Sequence, residues 1–144
     1  MTGFLLDTNC ISELVRAEPE PLVVQWLDEC DERLLHLSVL TIGESRKGIA
    51  ALAAGKRRTR LETWIELELK TRFYDRILPI DAEVAERWGV LAAQAKAAGS
   101  PLAVIDGLLA ATALHFNLAI VTRNTANFAE TNVSIICPWD SQSS

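Results

Sequence analysis

The chain is poor in the residue types that build disulfide frameworks, zinc clusters and long linkers. Its 144 residues include three cysteines, two histidines, seven glycines and five prolines. The cysteines are widely spaced and form no Cys-x-x-Cys pair, which argues against both a disulfide framework and a zinc cluster. Two histidines leave little material for a His-rich metal site or a Ser-His-Asp triad. We expect the cysteines to be small buried hydrophobic residues.

Long apolar runs and a targeting pattern at the N-terminus are also missing. The apolar stretches are broken well short of the roughly 20 residues that a helix needs to span a bilayer. The first residues carry no basic cluster and reach Asp7 too early for a signal peptide. Hydrophobic residues still make up 49% of the chain, enough for a packed core. We therefore predict a cytoplasmic protein with no membrane contact, built as one domain over 1–144 with a short polar tail at 140–144.

The charge of the chain is negative overall but unevenly distributed. The formal net charge of −5 argues against a protein that holds nucleic acid by bulk electrostatics. However, nine of the 14 Lys and Arg residues lie between Glu44 and Arg76. The run Lys56–Arg60 in this segment is predicted to be a basic turn or the start of a helix. Its role has two open interpretations, a contact for phosphate groups or a solvated loop.

Short apolar runs alternate with helical patterns along the whole chain. Strands are predicted at 4–6, 34–38, 77–80, 118–121 and 133–136. Helices are predicted at about 9–15, 22–27, 40–54, 61–69, 81–98 and 103–116. Gly55 is expected to close the helix at 40–54, and Pro79 favours an edge strand. This alternation predicts an α/β three-layer sandwich, with a mainly parallel central sheet flanked by helices.

Four side chains with oxygen atoms fall where strands end or where the following helices begin. Asp7 ends the first strand, and Asn124 follows the strand at 118–121. Glu44 and Asp106 fall in the early turns of two helices. Because ligands of open α/β sheets bind at the carboxyl ends of the strands, we expect these four side chains to meet at one edge of the sheet.

The surroundings of these carboxylates favour a cation site. Asp106 lies in the almost wholly apolar segment 102–111, where an ionised and unpaired carboxylate is costly. Clustered carboxylates repel one another and need either a cation or raised pKa values. Oxygen donors without His or Cys favour Mg²⁺ or Mn²⁺ over zinc, and such an ion can activate water for attack on phosphorus. The pattern therefore indicates phosphodiester hydrolysis.

A purely structural role for each carboxylate is the alternative. Asp7 and Asp106 could cap the helices that they precede or begin. Glu44 could instead pair with Arg46 or Lys47, its near neighbours in the sequence.

Four blocks of the sequence resemble the PIN-domain ribonuclease toxins of the VapC and FitB type. The blocks are Phe4–Glu13, Thr41–Ile49, Ile105–Ala113 and Ile120–Asn124, and Cys137-Pro138-Trp139 is similar to the end of those toxins. The resemblance covers almost the whole chain. It implies a PIN-like fold and an endoribonuclease toxin of a type II toxin–antitoxin pair, with an acidic cluster that binds Mg²⁺ and with Mn²⁺ able to substitute.

The resemblance also implies roles for individual residues. Asp7, Glu44 and Asp106 match the three acidic positions and are the expected metal ligands and, with Asn124, the expected catalytic residues. Where many PIN domains have a fourth acid, this chain has Asn124, and a second place for that acid holds Asn127. The expected supporting residues around Asp7 are Thr8, Asn9 and Thr122. The expected contacts to substrate or antitoxin are Arg46, Lys47 and Arg123.

Four kinds of partner follow from the same resemblance. They are an RNA substrate, a cognate antitoxin, a second copy of the chain in a homodimer, and operator DNA reached only through the antitoxin complex. The predicted antitoxin groove is walled by the apolar face Leu22, Val23, Trp26 and Leu27 together with the helix Ile11–Val15.

Other function classes fit the sequence less well. A receiver domain needs a Lys after a late strand, and no Lys follows Lys96. A haloacid-dehalogenase phosphatase needs Asp-x-Asp after its first strand, and Asp7-Thr8-Asn9 lacks the second acid. A PIN fold that has weakened in catalysis and serves as a binding or regulatory partner stays open because of the two amides, Asn124 and Asn127.

Overall fold

A five-stranded parallel sheet forms the centre of the molecule. The structure is a computed structural model and describes residues 3–140; most of the predicted polar tail, 141–144, lies outside the described residues. The strands are β1 (Gly3–Leu6), β2 (Leu35–Ser38), β3 (Ile77–Leu78), β4 (Leu118–Val121) and β5 (Ile135–Ile136). Their order across the sheet is β3-β2-β1-β4-β5, and every pair is parallel.

Helices cover both faces of this sheet. They are α1 (Thr8–Glu13), α2 (Pro21–Glu29), α3 (Val39–Ala50), α4 (Lys56–Thr63), α5 (Lys70–Arg72), α6 (Ala82–Ala97) and α7 (Val104–Phe116). A π-helical turn, Trp64–Leu69, joins α4 to α5, and 3₁₀ turns occur at Glu32–Leu34 and Thr125–Phe128. The predicted α/β sandwich is confirmed, and all of its strand pairs are parallel.

Short polar side chains start three of the helices at the ends of strands or loops. The carboxylate of Asp7 accepts a hydrogen bond from the Thr8 amide, the hydroxyl of Ser38 accepts one from the Leu40 amide, and Asp81 caps α6. Each oxygen satisfies a backbone N–H that has no partner inside its helix. These caps fix where the chain turns from strand to helix.

The hydrophobic core is divided by the sheet into two clusters. One cluster joins Leu6 and Leu37 to Val23, Leu27 and Phe73. The other packs β4 and α7 together with Phe128. All four residues of β4 are buried, as expected for a strand covered on both faces. Among residues 3–140 there is no helix long and apolar enough to cross a membrane.

Two expectations about the middle of the chain were wrong. The helix predicted at 40–54 ends at Ala50, and Gly55 stands at the start of α4 rather than at the end of the preceding helix. The basic run Lys56–Arg60 forms the first turns of α4, which confirms the predicted helix start and not the solvated loop. Lys and Arg have high helix propensity, so this run forms one continuous helix with the residues that follow it, up to Thr63.

Two of the four α2 residues predicted to wall the antitoxin groove lie in the core instead, while Leu22 and Trp26 are half-buried. Val23 and Leu27 are 0% and 5% exposed and belong to the core. Trp26 packs edge-on against Phe4, with ring centroids 5.0 Å apart. An apolar helix face of this kind predicts burial but not the partner, and here the sheet is the partner.

Helices α6 and α7 pack very closely at Gly107. A Cβ atom built on Gly107 would lie 2.9 Å from the indole of Trp88, a distance that requires one of them to move. Gly89, also within a helix, has no atom within 4 Å of the corresponding position. Both glycines thus have helical backbone conformations, but only Gly107 is tightly packed against a neighbouring side chain.

This contrast gives a matched pair of stability predictions. In an open helical site, Gly→Ala gains up to about 1 kcal/mol, so Gly89→Ala is expected to stabilise the protein. Gly107→Ala has the same gain in helix propensity, but the added methyl group overpacks the contact with Trp88 at a cost of about 1–3 kcal/mol. It is therefore expected to destabilise the protein. Denaturant unfolding of both variants measures the difference, and stabilisation by both substitutions would contradict the close contact.

Candidate active site at the carboxyl edge of the sheet

The four predicted oxygen-bearing side chains line one pocket at the carboxyl edge of the sheet. The pocket has a volume of about 450 Å³ and is lined by Asp7, Glu44, Asp106 and Asn124. Asp7 directly follows β1, and Asn124 follows β4. Glu44 comes from α3, and Asp106 comes from the first turn of α7. The topology therefore brings together residues that are up to 117 positions apart in the sequence.

Asp7 is the most strongly held of these side chains. It is 7% exposed, and its Oδ2 accepts a hydrogen bond from the Thr122 hydroxyl at 2.8 Å. Its Oδ1 accepts one from the Thr8 amide at 2.7 Å, and the amide group of Asn9 lies 3.4 Å from Oδ2. The β1–β4 register pairs Leu6 with Val121, which places Asp7 and Thr122 side by side. Asp7 therefore acts as the N-cap of α1 and still faces the pocket.

Glu44 and Asp106 are held differently. Glu44 accepts a hydrogen bond from the Thr8 hydroxyl at 2.6 Å, so Thr8 connects it to the end of β1. Asp106 is half-buried, and within residues 3–140 its carboxylate makes no hydrogen bond or ion pair. It does not cap α7, because Ala103 occupies the N-cap position. Two of the purely structural alternatives, a cap by Asp106 and an ion pair from Glu44 to Arg46 or Lys47, are thus absent from the described part of the chain.

Burial and mutual repulsion raise the pKa of two of the carboxyl groups. Burial is the largest cause of the raised pKa of Asp7, and the charge of Glu44 adds to it, although hydrogen bonds from Thr122 and Thr8 lower it. Burial also raises the pKa of Asp106, with further contributions from the charges of Asp7 and Glu44. Since each charge disfavours ionisation of its neighbours, this pocket favours a bound cation.

The donor atoms suit a hard cation, although they are not yet gathered around one point. Asp7, Glu44 and Asp106 offer carboxylate oxygens, the donors preferred by Mg²⁺ and Mn²⁺. In the part of the chain that the structure describes, no three His, Cys, Asp or Glu side chains are close enough together to form a ready metal site. Asp106 is the carboxylate with room to adjust, since no hydrogen bond fixes its rotamer. The chemistry of the donors fits a divalent ion, while their spacing requires side-chain movement.

The supporting residues lie where the sequence predicted them, and the basic residues do so only in part. Thr8 and Asn9 line the pocket, and Thr122 lies directly behind Asp7. Arg123 lines the pocket, its amide bonded to the Asn9 side chain and its guanidinium 6.0 Å from the Trp139 ring. Arg46 instead forms an ion pair with Glu66, and neither it nor Lys47 lines the pocket.

Sequence reasoning missed four further residues that line the pocket. They are Ser12, Glu13, Arg16 and Trp139. Glu13 is 3% exposed, and its carboxylate pairs with Arg16 at 3.2 Å and accepts a hydrogen bond from the Glu20 amide at 2.7 Å. The missed signal is the spacing of Asn9, Ser12 and Glu13, because positions i, i+3 and i+4 share one helical face. Arg16 follows the helix and reaches the pocket through its ion pair with Glu13.

Two more predictions concern residues near the pocket. Asn127 belongs to the 3₁₀ turn after β4, and it does not line the pocket whereas Asn124 does. Cys10 is fully buried, and burial raises the pKa of its thiol to about 12. A thiol of that kind stays protonated at neutral pH and is not a nucleophile, which agrees with its predicted role as a small buried residue.

Comparisons with known proteins agree with this geometry. The PIN domain family model matches residues 4–133. The chain is 40% identical to "VapC ribonuclease Y4jK" of Sinorhizobium fredii over 94% of this chain and 97% of that protein. It is 39% identical to "Toxin FitB" of Neisseria gonorrhoeae, again over 94% and 97% of the two chains. A solved structure of FitAB bound to a DNA fragment superposes with a TM-score of 0.91 at 37% identity, over 96% of this chain and 97% of that chain.

Fold, site and sequence similarity thus lead to the same assignment. The parallel sheet brings acidic side chains from the end of β1, from α3 and from α7 to one pocket, and the similarity extends over nearly the whole chain. The chain belongs to the PIN-domain family, in the branch that contains the VapC and FitB toxins.

Proposed function

We propose that the protein is a divalent-metal-dependent endoribonuclease that acts as the toxin of a toxin–antitoxin pair. The observation that carries the proposal is the single pocket lined by Asp7, Glu44, Asp106 and Asn124. The name of the relative from Sinorhizobium fredii, a VapC ribonuclease 40% identical to this chain, supports RNA as the substrate.

The carboxylates of the pocket are the proposed ligands of one Mg²⁺ or Mn²⁺ ion. Asp7 and Asp106 would hold it chiefly, with Glu44 and Asn124 reaching it directly or through water. When bound, such an ion supplies an activated water and offsets the negative charge of the phosphate. The raised pKa values of Asp7 and Asp106 support this proposal, because a nearby cation offsets both the cost of burying a charged carboxylate, which is the main cause of the shifts, and the repulsion between the carboxylates.

The remaining residues of the pocket position these ligands. Thr122 and the Thr8 amide each occupy one oxygen of Asp7, so its carboxylate keeps one orientation. The Thr8 hydroxyl does the same for Glu44. Asn9 joins Asp7 to the loop after β4 through its bonds to Thr122 and to the Arg123 amide. Arg123 is thereby placed at the rim, where its charge can hold an RNA phosphate.

The proposed partners follow from the toxin branch of the family. They are RNA as substrate, a cognate antitoxin that neutralises the protein, and a second copy of the chain in a homodimer. DNA would be contacted only as part of the antitoxin complex, in line with the FitAB–DNA structure. A cytoplasmic location follows from an RNA target and an antitoxin made in the same cell.

One observation favours a second candidate function. Asn124 places an amide in the pocket where a fourth carboxylate would add a negative charge. The fold could therefore serve as a catalytically weakened partner that binds nucleic acid together with its antitoxin. Cleavage of RNA by purified, antitoxin-free protein in the presence of Mg²⁺ separates the two functions.

The first prediction concerns catalysis. Asp7→Asn or Asp106→Asn removes a proposed metal ligand and should lower RNA cleavage by at least roughly 100-fold, because loss of groups that only support metal ligands already costs 10–100-fold. Both variants should also lose Mn²⁺ binding in calorimetry while keeping the circular dichroism spectrum of the wild type. Asp28→Asn, an exposed acid on α2, is the matched control and should behave as the wild type. Full RNA cleavage by Asp7→Asn or Asp106→Asn would refute the assignment.

The second prediction concerns the stability of the metal-free protein as a function of pH. The pKa of Asp106 is above the ordinary value of 3.8 in the folded chain, so folding favours its protonated form. The free energy of unfolding that this group contributes therefore falls as the pH rises from 3.8 through the folded pKa. Asp106→Asn cannot ionise at this position and so removes that decrease in the free energy of unfolding.

Thermal unfolding in a metal chelator measures this effect. The melting temperature of Asp106→Asn should exceed that of the wild type at pH 7, and the two should converge as the pH falls below the ordinary carboxyl range. Asp28→Asn should show no comparable pH-dependent gain. A difference between Asp106→Asn and the wild type that is the same at every pH would contradict a raised pKa.

The third prediction uses the amide in the pocket. Asn124→Asp should tighten Mn²⁺ binding, since an ionised ligand attracts a cation more strongly than an amide dipole does. Asn127→Asp makes the same chemical change three residues later, outside the pocket, and should leave the affinity nearly unchanged. Calorimetric titration with Mn²⁺ compares the two, with one tight site expected in the wild type. Equal affinities in both variants would place Asn124 away from the ion. The gain need not raise turnover, because tighter ground-state binding does not stabilise the transition state.

A further inference from the structure

A second groove adjoins the acidic pocket. It has a volume of about 1130 Å³ and lies between the chain segment after α1 and the helix α4. Leu14 and Val15 form part of one wall, while Arg57, Arg60 and Trp64 form part of the other. None of the proposed metal ligands lies in this groove, so it is not part of the metal site.

Arg16 connects the two. It lines both the acidic pocket and the groove. Its guanidinium is held by Glu13, with 3.2 Å from Nη1 to each carboxylate oxygen, and its side chain is still 57% exposed. A polymer that leaves the acidic pocket on this side therefore passes the exposed guanidinium of an arginine whose position is fixed by an ion pair.

The groove is more basic than the chain as a whole. Its lining carries Arg16, Arg57 and Arg60 together with two acids, Glu18 and Glu68, whereas the whole chain has a net charge of −5. Of these arginines, Arg16 is already paired with Glu13. Arg57 and Arg60 are exposed and form no ion pair within the described range. The neighbouring Arg58, by contrast, lies near Glu62. Unpaired arginines in a groove are available to bind phosphate oxygens.

The same helix face also offers an apolar and aromatic surface. Positions 57, 60, 61 and 64 follow the i, i+3, i+4, i+7 spacing, so Leu61 and Trp64 lie beside the two arginines. Trp64 begins the π-helical turn, an irregularity often found at functional sites. A basic groove with an aromatic side chain is the usual combination for single-stranded nucleic acid, in which phosphates meet cations and bases stack.

We propose that this groove is the path of the single-stranded RNA on one side of the scissile phosphate, from the acidic pocket past Arg16 to Arg57 and Arg60. The inference rests on the proposed ribonuclease function and assigns the part of the substrate that lies beyond the cleavage site. A short RNA fills the acidic pocket alone, whereas a longer one gains the contacts of the groove.

Binding of labelled RNA tests this path without any cleavage. Mixed-sequence, unstructured oligonucleotides of about 3 and about 12 nucleotides are titrated with the full chain in a metal chelator, and fluorescence anisotropy is recorded from about 50 to 200 mM salt. The variant Arg57→Gln/Arg60→Gln removes two charges from exposed helical positions. The control Arg87→Gln/Lys96→Gln removes two charges from exposed positions of α6.

The groove variant should bind the longer RNA about tenfold or more weakly at low salt. The slope of its log affinity against log salt should fall by roughly 1.4, since each phosphate contact to a single strand contributes about 0.7. Its affinity for the short RNA, and its rate of cleaving it with Mg²⁺, should match the wild type. The control variant should keep the full slope.

Two outcomes would overturn the path. One is equal binding of the longer RNA by the groove variant and the control variant. The other is unchanged RNA binding together with weakened binding of the purified cognate antitoxin, which would make the groove a protein interface. Failure of the proposed function looks different, because a protein that binds the longer RNA through Arg57 and Arg60 but cleaves no RNA with Mg²⁺ or Mn²⁺ would disprove catalysis and keep the binding groove.

Discussion

A carboxylate buried at the end of the central strand is the constraint on which the functional edge of the molecule depends. Asp7 loses most of its contact with water, and this burial raises its pKa. The hydroxyl of Thr122 and the amide of Thr8 offset part of that cost. Those groups are in place because β1 and β4 run parallel in a register that ends both strands at the same level. The backbone pairing of two strands thus determines the electrostatics of the pocket.

Much of this arrangement could be predicted from the sequence, because it follows from local patterns. Apolar runs mark the strands, and polar residues at their ends mark the carboxyl edge where Asp7 and Asn124 lie. The sequence does not reveal which residues each helix face or charged side chain contacts in the folded chain. The apolar face of α2 looks the same whether it meets a sheet or a protein partner. Arg46 pairs with Glu66, 20 positions away, rather than with a residue of the pocket. The roles of the pocket residues in metal binding and catalysis stay predictions.

The fold divides the basic residues between Glu44 and Arg76 into those that bind carboxylates and those that do not. Arg72 and Arg76 both bind Glu32, which lowers the pKa of that carboxyl group, and Lys70 joins Arg46 on Glu66. These charges are used in binding separate elements to one another. Arg57 and Arg60 are different, because they face a groove and lack such carboxylate partners in the described structure. Net charge alone hides this division, since paired and unpaired arginines count equally.

The close approach of α6 and α7 has a consequence for the placement of Asp106. Gly107 is the next residue along α7, and the indole of Trp88 occupies the space that a side chain at this position would need. The distance between the two helix axes is therefore set one residue from a carboxylate of the pocket. Asp106 makes no hydrogen bond of its own within residues 3–140, so the packing of α7 against α6 contributes to where its carboxylate lies. The absence of a side chain at Gly107 thus lets α7 lie close to α6, and this close packing, rather than a hydrogen bond to Asp106, supports the wall of the pocket that Asp106 forms.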